Sequence, residues 1–273
     1  MSGPDHLVLV RHGESEGNVI SKSLTRGTEN RITLTLEELG RHSGAEWRLT
    51  PKGVQQAQVA GEWIKEHIVA RYGLPGFDKY FYSTHRRTYE TAGHLSIDGA
   101  IWEHDSRLRE RSWGEVEGFG GAEEHRRLYP LNYQLMQNDP LHWIPPGGES
   151  ILQVADTRVR AFLDGLQQMD LKSALASTHG EWIWASRLVL EYMLSEDWHR
   201  YIKDPSKKIH NGQVVHYTKI DPENNKVADR YRWVRSVCPS LNYEEGSWEE
   251  FEQEYLTNDE MIARAETLPR LFD

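Results

Sequence analysis

Short apolar runs alternate along this chain with stripes of apolar residues spaced three and four apart, the pattern of strands followed by amphipathic helices. Leu7 to Val10 is the first run and predicts a buried strand. A helix is expected from Pro51, capped by Thr50, with Val54, Ala57, Gly61, Ile64 and Ile68 on one buried stripe. Gly61 on that stripe would allow close packing against a sheet, and the helix should end near Tyr72-Gly73. Lys79 to Ser83 predicts a second strand, and Ser83 can cap a helix whose first turn carries His85, Arg86 and Arg87. Ala122 to Gln137 reads as helical, with Leu128, Leu131 and Leu135 apolar and Tyr129-Pro130 interrupting. A helix from Ile151 to Gln168, a small-residue strand from Ser173 to Thr178 and a helix from Trp182 to Leu194 follow. Val214 to Ile220 and Arg230 to Val237 predict two more strands, entered from the turn Asn211-Gly212 and joined by a loop at Glu223-Asn224-Asn225. Ser247-Trp248-Glu249-Glu250 has the form of a capping box and predicts a tail helix with Trp248, Phe251 and Tyr255 on one face. That helix would dock on the domain or on a second subunit, so a homodimer stays open.

Two stretches lack periodicity. Residues 19–48 form a polar insertion in which Leu34, Leu36 and Leu39 can anchor a solvated excursion, or a lid carrying Arg26, Arg31, His42 or Arg48. Leu36 to Leu39 can begin a short helix there. Leu108 to Gly118 is a glycine-punctuated loop.

Composition narrows the class. At 273 residues, 38% apolar and 27% charged, the chain can bury a large core as a soluble globular protein. No apolar run approaches the roughly 20 residues of a membrane helix, and no secretory signal is evident, so the cytoplasm is the expected compartment. The only cysteine, Cys238, rules out an internal disulfide and a cysteine-based zinc site. The net charge of −10 is concentrated in residues 240–273, where ten acids face two bases. Such a balance argues against nucleic acid and against an anionic membrane as partners.

The chemistry sits where strands end. Arg11-His12-Gly13 follows the first strand directly, with Ser15 and Asn18 close behind. Ligands of open α/β sheets bind beyond the carboxyl ends of strands. There Arg11 can fork onto a phosphate, Gly13 lets a ligand approach, and a neutral His12 can attack phosphorus. Alone, Arg-His-Gly after a strand is more often an ordinary turn. The logic repeats, however, at Thr178-His179-Gly180-Glu181, again strand, histidine, glycine, helix. His85, Arg86 and Arg87 in a helix's first turn oppose its dipole unless an anion lies between. Glu110, flanked by Arg109 and Arg111, reads from the residues alone as a salt-bridged loop carboxylate.

Five motifs in order resemble the histidine phosphatase superfamily, which includes the cofactor-dependent phosphoglycerate mutases. They are Arg11-His12-Gly13 with Ser15 and Asn18; Leu49-Thr50-Pro51-x-Gly53; Ser83…Arg87…Thr91-Ala92; Leu108-x-Glu110…Gly114…Glu117-Gly118; and Gly148-Glu149-Ser150 before His179-Gly180. The resemblance spans roughly residues 6–220 and implies an α/β fold, a three-layer α/β/α sandwich around a mostly parallel sheet. Residues 1–239 would form that domain, with the 19–48 insertion and a substrate-side segment at 119–147, and 240–273 an acidic helical tail. The resemblance makes His12 the phosphorylated nucleophile, Arg11, Arg87, His179 and Asn18 the phosphate ligands, and Glu110 the proton donor, with no metal and no cofactor.

Position 181 departs from the family, where glycine or a small residue is common. Glu181 is thus a rival acid or an orienting group for His179, and Ser15, Gly180 and Glu181 are additional candidates at the site. The stretch Arg-Arg-Ser-Tyr-Asp of glycolytic mutases does not occur, which favours a phosphatase of a small phosphorylated metabolite. Arginines 107, 109, 111, 126 and 127 could select a second anionic group or form a solvated face. A mutase and a non-catalytic phospho-ligand scaffold are the alternatives.

Overall fold

The computed structural model describes residues 3–26, 43–116 and 122–267, together with 270 and 272. Its centre is β1 (His6–Arg11), whose side chains alternate between two cores. Leu7 and Leu9 face one core, Val8 and Val10 the other, and all four are fully buried. Each such burial contributes on the order of 1.5–3 kcal/mol. β4 (Ser173–Thr178) lies beside β1 and divides its residues the same way, Ala174 and Ala176 against Leu175. A sheet apolar on both faces must be covered on both, which gives three layers.

With β2 (Lys79–Tyr82), β3 (Trp102–His104), β5 (Val214–Thr218), β6 (Trp233–Val237) and β7 (Glu249–Glu250), the seven-stranded sheet has the order β3-β2-β4-β1-β5-β6-β7. β3, β2, β4 and β1 are parallel, and β5, β6 and β7 continue antiparallel. The register pairs Arg11 with Thr178. Residues 12 and 179 therefore leave the sheet side by side.

α1 (Glu16–Arg26) follows the β1 loop. On one face lie α2 (Pro51–Ile64), prolonged by a wider turn over Lys65–Ala70, and α3 (Arg86–His94). Thr50 accepts from the Gly53 N–H and Pro51 opens α2, as the sequence predicts. Ala57, Gly61, Ile64 and Ile68 are buried and Val54 is half-buried. Gly61 packs against the end of α3 rather than the sheet, for a Cβ there would lie 1.9 Å from the Leu95 carbonyl oxygen. The other face carries α6 (Ile151–Val154) and α7 (Arg160–Gln167), joined through Ala155–Val159, and α8 (Gly180–Leu190).

Several expectations are corrected. Ser83 does not cap α3: His85 holds the N-cap position, and the Ser83 hydroxyl is engaged elsewhere. The 122–137 helix is broken at Tyr129 into α4 (Ala122–Leu128) and α5 (Pro130–Asn138), and Leu128, Leu131 and Leu135 are exposed. α8 ends at Leu190, and α9 (Ser195–Lys203) follows. No helix starts at Ser247. Glu249–Glu250 forms β7 against β6, and α10 (Asn258–Ala265) begins after Thr257, which caps it with Glu260. Tertiary contacts outweigh the local capping signal: Trp248 packs on His216 and Arg235, and Phe251 on Tyr217. Arg31, His42, the anticipated short helix at 36–39, and Glu117 and Gly118 lie outside the described residues. Among the described residues no helix is long and apolar enough to cross a membrane.

Candidate functional site

Two backbone crossings shape the loop after β1. Gly13 and Gly53 pass so close that a Cβ on Gly13 would sit 2.2 Å from the Gly53 carbonyl oxygen, and one on Gly53 2.0 Å from that of Glu14. This contact accounts for the glycine in Leu49-Thr50-Pro51-x-Gly53. From α3, Thr91 Oγ1 accepts the Gly13 N–H at 3.0 Å. From the turn before β5, the Asn211 amide donates to the His12 carbonyl at 3.1 Å and to Asn18 Oδ1 at 2.9 Å. Ser15 adds donors to the same oxygen from its N–H and its hydroxyl, at 3.1 and 3.2 Å. With its carbonyl oxygen saturated, Asn18 keeps an NH2 that has no partner among the described residues.

His12 is buried, and its Nδ1 donates to its neighbour's Gly13 carbonyl at 2.7 Å. That bond fixes the tautomer and leaves the Nε2 lone pair outward, where Arg87 Nε donates to it at 3.1 Å. Arg87 Nη2 donates to His179 Nδ1 at 3.2 Å, so His179 carries its proton on Nε2, facing Ser83 Oγ at 2.8 Å. The two imidazoles meet edge to face, with ring centroids 5.3 Å apart. Burial first, and then the guanidinium of Arg87, hold both rings well below the usual histidine range, hence neutral near pH 7. His85 meets His179 edge to face at 4.8 Å and is pulled down to about 4 by burial and by Arg87, Arg109 and Arg158.

Arg11 enters from the other side. Its Nη1 donates to the Ile209 carbonyl at 2.6 Å, while its Nε is buried with no partner among the described residues. The guanidinium lies on Gly180, where a Cβ would be 3.1 Å from Nε and 3.2 Å from Cζ. Arg87 Nη1 is held by the Gly44 carbonyl at 2.6 Å, at the end of the 19–48 insertion. Two guanidiniums, two neutral imidazoles, an amide and the N-terminus of α8 thus converge at the carboxyl ends of β1 and β4. Such an arrangement suits the oxygens of a phosphoryl group beside a nitrogen that can attack phosphorus.

Glu110 reaches this place from the loop after β3. Its Oε1 accepts N–H bonds from Arg111 at 3.1 Å and Trp182 at 3.2 Å, and its Oε2 one from Glu181 at 3.5 Å. The residue is half-buried but its carboxyl is walled in, and burial first, then the neighbouring Glu181, push it up to about 7. Arg87 and Arg11 pull the other way. A carboxyl so placed is poised between donating and accepting a proton. Glu181 does not touch His179: both of its oxygens are taken by Arg111, at 2.8 Å each, and Trp113 Nε1 adds a bond at 2.9 Å.

Other arginines are employed structurally. Arg107 binds Asp105 and the Ala161 carbonyl, and Arg48 pairs with Glu90. Arg126 and Arg127 are exposed on α4. The Gly148-Glu149-Ser150 motif is a brace: Glu149 accepts from Ser112 N and Arg158 Nη2, and Ser150 caps α6. Sequence reasoning missed Ser83 and Asn211 as members of this site. Both could have been suspected from their place directly after β2 and before β5. Among the described residues no group of three or more His, Cys, Asp or Glu side chains is arranged to hold a metal ion.

The chain is 30% identical over 202 residues to a 2,3-bisphosphoglycerate-dependent phosphoglycerate mutase of Bradyrhizobium diazoefficiens, covering 70% of this chain and 83% of the relative. Its fold matches a mycobacterial glucosyl-3-phosphoglycerate phosphatase solved with VO3 (TM-score 0.59, 23% identity, 78% of this chain and 92% of that one). It also matches the alpha-ribazole phosphatase of Shigella flexneri (TM-score 0.59, 21% identity, 82% and 97%). The sequence profile of the histidine phosphatase superfamily (branch 1) covers residues 7–217, and this chain belongs to that family.

Proposed function

We propose that this chain is a phosphatase that hydrolyses phosphomonoesters of a small metabolite through a phosphohistidine formed on His12, without a metal. The observation that carries this reading is the tautomer of His12, whose Nδ1 is locked on the Gly13 carbonyl so that Nε2 alone can attack. A phosphoryl group entering between His12 and His179 draws Arg87 onto its oxygens and releases the Nε2 lone pair. Arg11, whose Nε has no partner among the described residues, the Asn18 amide and His179 complete the cradle. Nε2 then bonds to phosphorus as the ester P–O bond breaks, and protonated Glu110 gives its proton to the leaving oxygen. In the second half Glu110 takes a proton from water, the oxygen attacks phosphorus, and the N–P bond breaks to yield inorganic phosphate. Charge on the transferring group is balanced by Arg11 and Arg87, the part a metal plays elsewhere.

The test is hydrolysis of para-nitrophenyl phosphate in EDTA by wild type and His12→Ala. Turnover that survives EDTA and disappears in the variant supports the reading, and turnover independent of His12 refutes it. The mutase relatives favour a second reading, return of the phosphoryl group to another hydroxyl before water intervenes. Product analysis of phosphoglycerates with a bisphosphate primer separates the two, since isomerised ester accumulating faster than free phosphate would mark a mutase.

A further inference from the structure

We infer that Glu181, with Arg111, is a positioning pair that seats the proton donor Glu110 and ties it to the substrate-side segment. This rests on the reading of Glu110 as the donor in the proposed reaction. Glu181 stands at the start of α8, where an acid would be favourable for the helix dipole alone. Its contacts go further. Arg111 grips both carboxylate oxygens at 2.8 Å in an ion pair whose arginine side chain is only 3% exposed. The guanidinium lies against the rings of both Trp113 at 4.3 Å and Trp143 at 5.1 Å, and the two indoles pack edge to face. Trp113 also bonds Glu181 directly.

Glu110 is the residue before Arg111, and its carboxyl is received by the N–H groups of Glu181 and Trp182. One fork therefore fixes three things together: the loop bearing the donor, the helix end that receives it, and the two tryptophans that wall the 113–143 side. While the fork holds, Arg111 ties the loop next to Glu110 to the start of α8, where the carboxyl is received. Bidentate geometry with aromatic stacking is the kind of contact that a lysine or a neutral amide reproduces poorly.

The pair also acts through charge. The Glu181 carboxylate is the second cause, after burial, that holds Glu110 above its ordinary range. Glu181→Gln removes that charge and leaves Arg111 uncompensated beside Glu110, and both changes favour loss of the Glu110 proton. A donor must hold its proton, so the alkaline limb of kcat/KM moves to lower pH in the variant. A misplaced or deprotonated donor harms a poor leaving group most, because para-nitrophenolate departs without help.

The experiment compares wild type, His12→Ala, Glu110→Gln, Glu181→Gln and Trp113→Phe on para-nitrophenyl phosphate and on glycerol phosphate across pH. The inference expects Glu181→Gln to lose on the order of 10- to 100-fold with glycerol phosphate and much less with the aryl ester, with the alkaline limb displaced downward. Trp113→Phe, which deletes one hydrogen bond to Glu181 and keeps an aromatic ring, should move in the same direction by less. Glu181→Asp should restore the limb in part. If both the Glu181 and Trp113 variants fold and keep the wild-type leaving-group ratio and pH profile, the pair is structural only and the inference is overturned. Turnover in His12→Ala, or a wild-type leaving-group ratio in Glu110→Gln, would instead overturn the proposed reaction. Should Glu181→Gln fail to fold, Trp113→Phe decides the matter by the same ratio.

Discussion

Gly180→Ala tests the cradle with a single methyl group. Gly180 opens α8 with no left-handed backbone, so alanine meets no conformational penalty there and helix stability should be kept or slightly raised. The added Cβ would stand 3.1 Å from Arg11 Nε, 3.2 Å from Cζ and 3.5 Å from Cδ. Comfortable contact between heavy atoms begins at about 3.5–4.0 Å, so the guanidinium must retreat by about 0.5 Å. It cannot do so freely, because Nη1 is tied to the Ile209 carbonyl at 2.6 Å. A reacting geometry displaced by up to 1 Å costs as much as about 100-fold, and half that displacement is expected to cost roughly 10-fold or more in kcat/KM. That is about 1.4 kcal/mol of transition-state stabilisation. The assay is steady-state hydrolysis of para-nitrophenyl phosphate in EDTA, paired with thermal unfolding and with inhibition by orthovanadate. Lower kcat/KM and weaker inhibition at unchanged Tm are expected. Wild-type kcat/KM in a folded Gly180→Ala protein would refute the placement of Arg11 on the phosphoryl group.

Other outcomes follow from the same geometry. With Glu110 at about 7, roughly half of it is protonated at pH 7, against about 0.3% for a carboxyl at 4.5, so kcat/KM should fall only as pH rises through about 7. An alkaline limb near pH 4–5 would show that Glu110 is not held above the ordinary carboxyl range, and a limb that persists in Glu110→Gln would show that Glu110 is not the donor. Because burial and Arg87 keep His12 neutral well below the usual range, the acid limb should lie below pH 6.5, measured in the same profile. Gly53→Ala must push apart backbone that would stand 2.0 Å from the new methyl, and should cost about 1–3 kcal/mol or more in denaturant unfolding together with most of the activity. Trp248→Ala removes one of the two indoles that enclose the Arg235 guanidinium, at 4.6 Å with Trp63 opposite at 4.8 Å. It should lower Tm by several degrees and leave kcat/KM unchanged, since that cluster lies away from His12.

The parts of the fold visible in the sequence are those where local signal and tertiary need agree. β1 and β4 are apolar because both faces are buried, and Thr50-Pro51 caps α2 for reasons contained in four residues. β3 escaped notice because its three residues are largely exposed and carry no alternation. The tail went wrong because Ser247 to Glu250 satisfies a capping pattern while the partners that make it a strand, Arg232 to Val234 and His216, lie elsewhere in the chain. In the candidate site the paired strand-His-Gly segments were legible because the chemistry is local to each. From the residues alone Glu110 was not, since what raises it is burial first and then Glu181, both of which only folding brings about. Asn211 was hidden for the same reason: a turn residue in sequence, it is a strut under His12 in space.

The order of the sheet has a consequence for the protein as it is being made. β1 pairs with β4 on one side and β5 on the other, so His6 must wait for Ser173 and then Thr218. At about 5–20 residues per second, a ribosome needs roughly ten to forty seconds to deliver both neighbours. Throughout that interval the most apolar strand of the molecule emerges without its companions, with both edges unpaired. Nascent chains of this protein are therefore natural clients for a holding chaperone, and slowing translation before residue 173 should raise their aggregation.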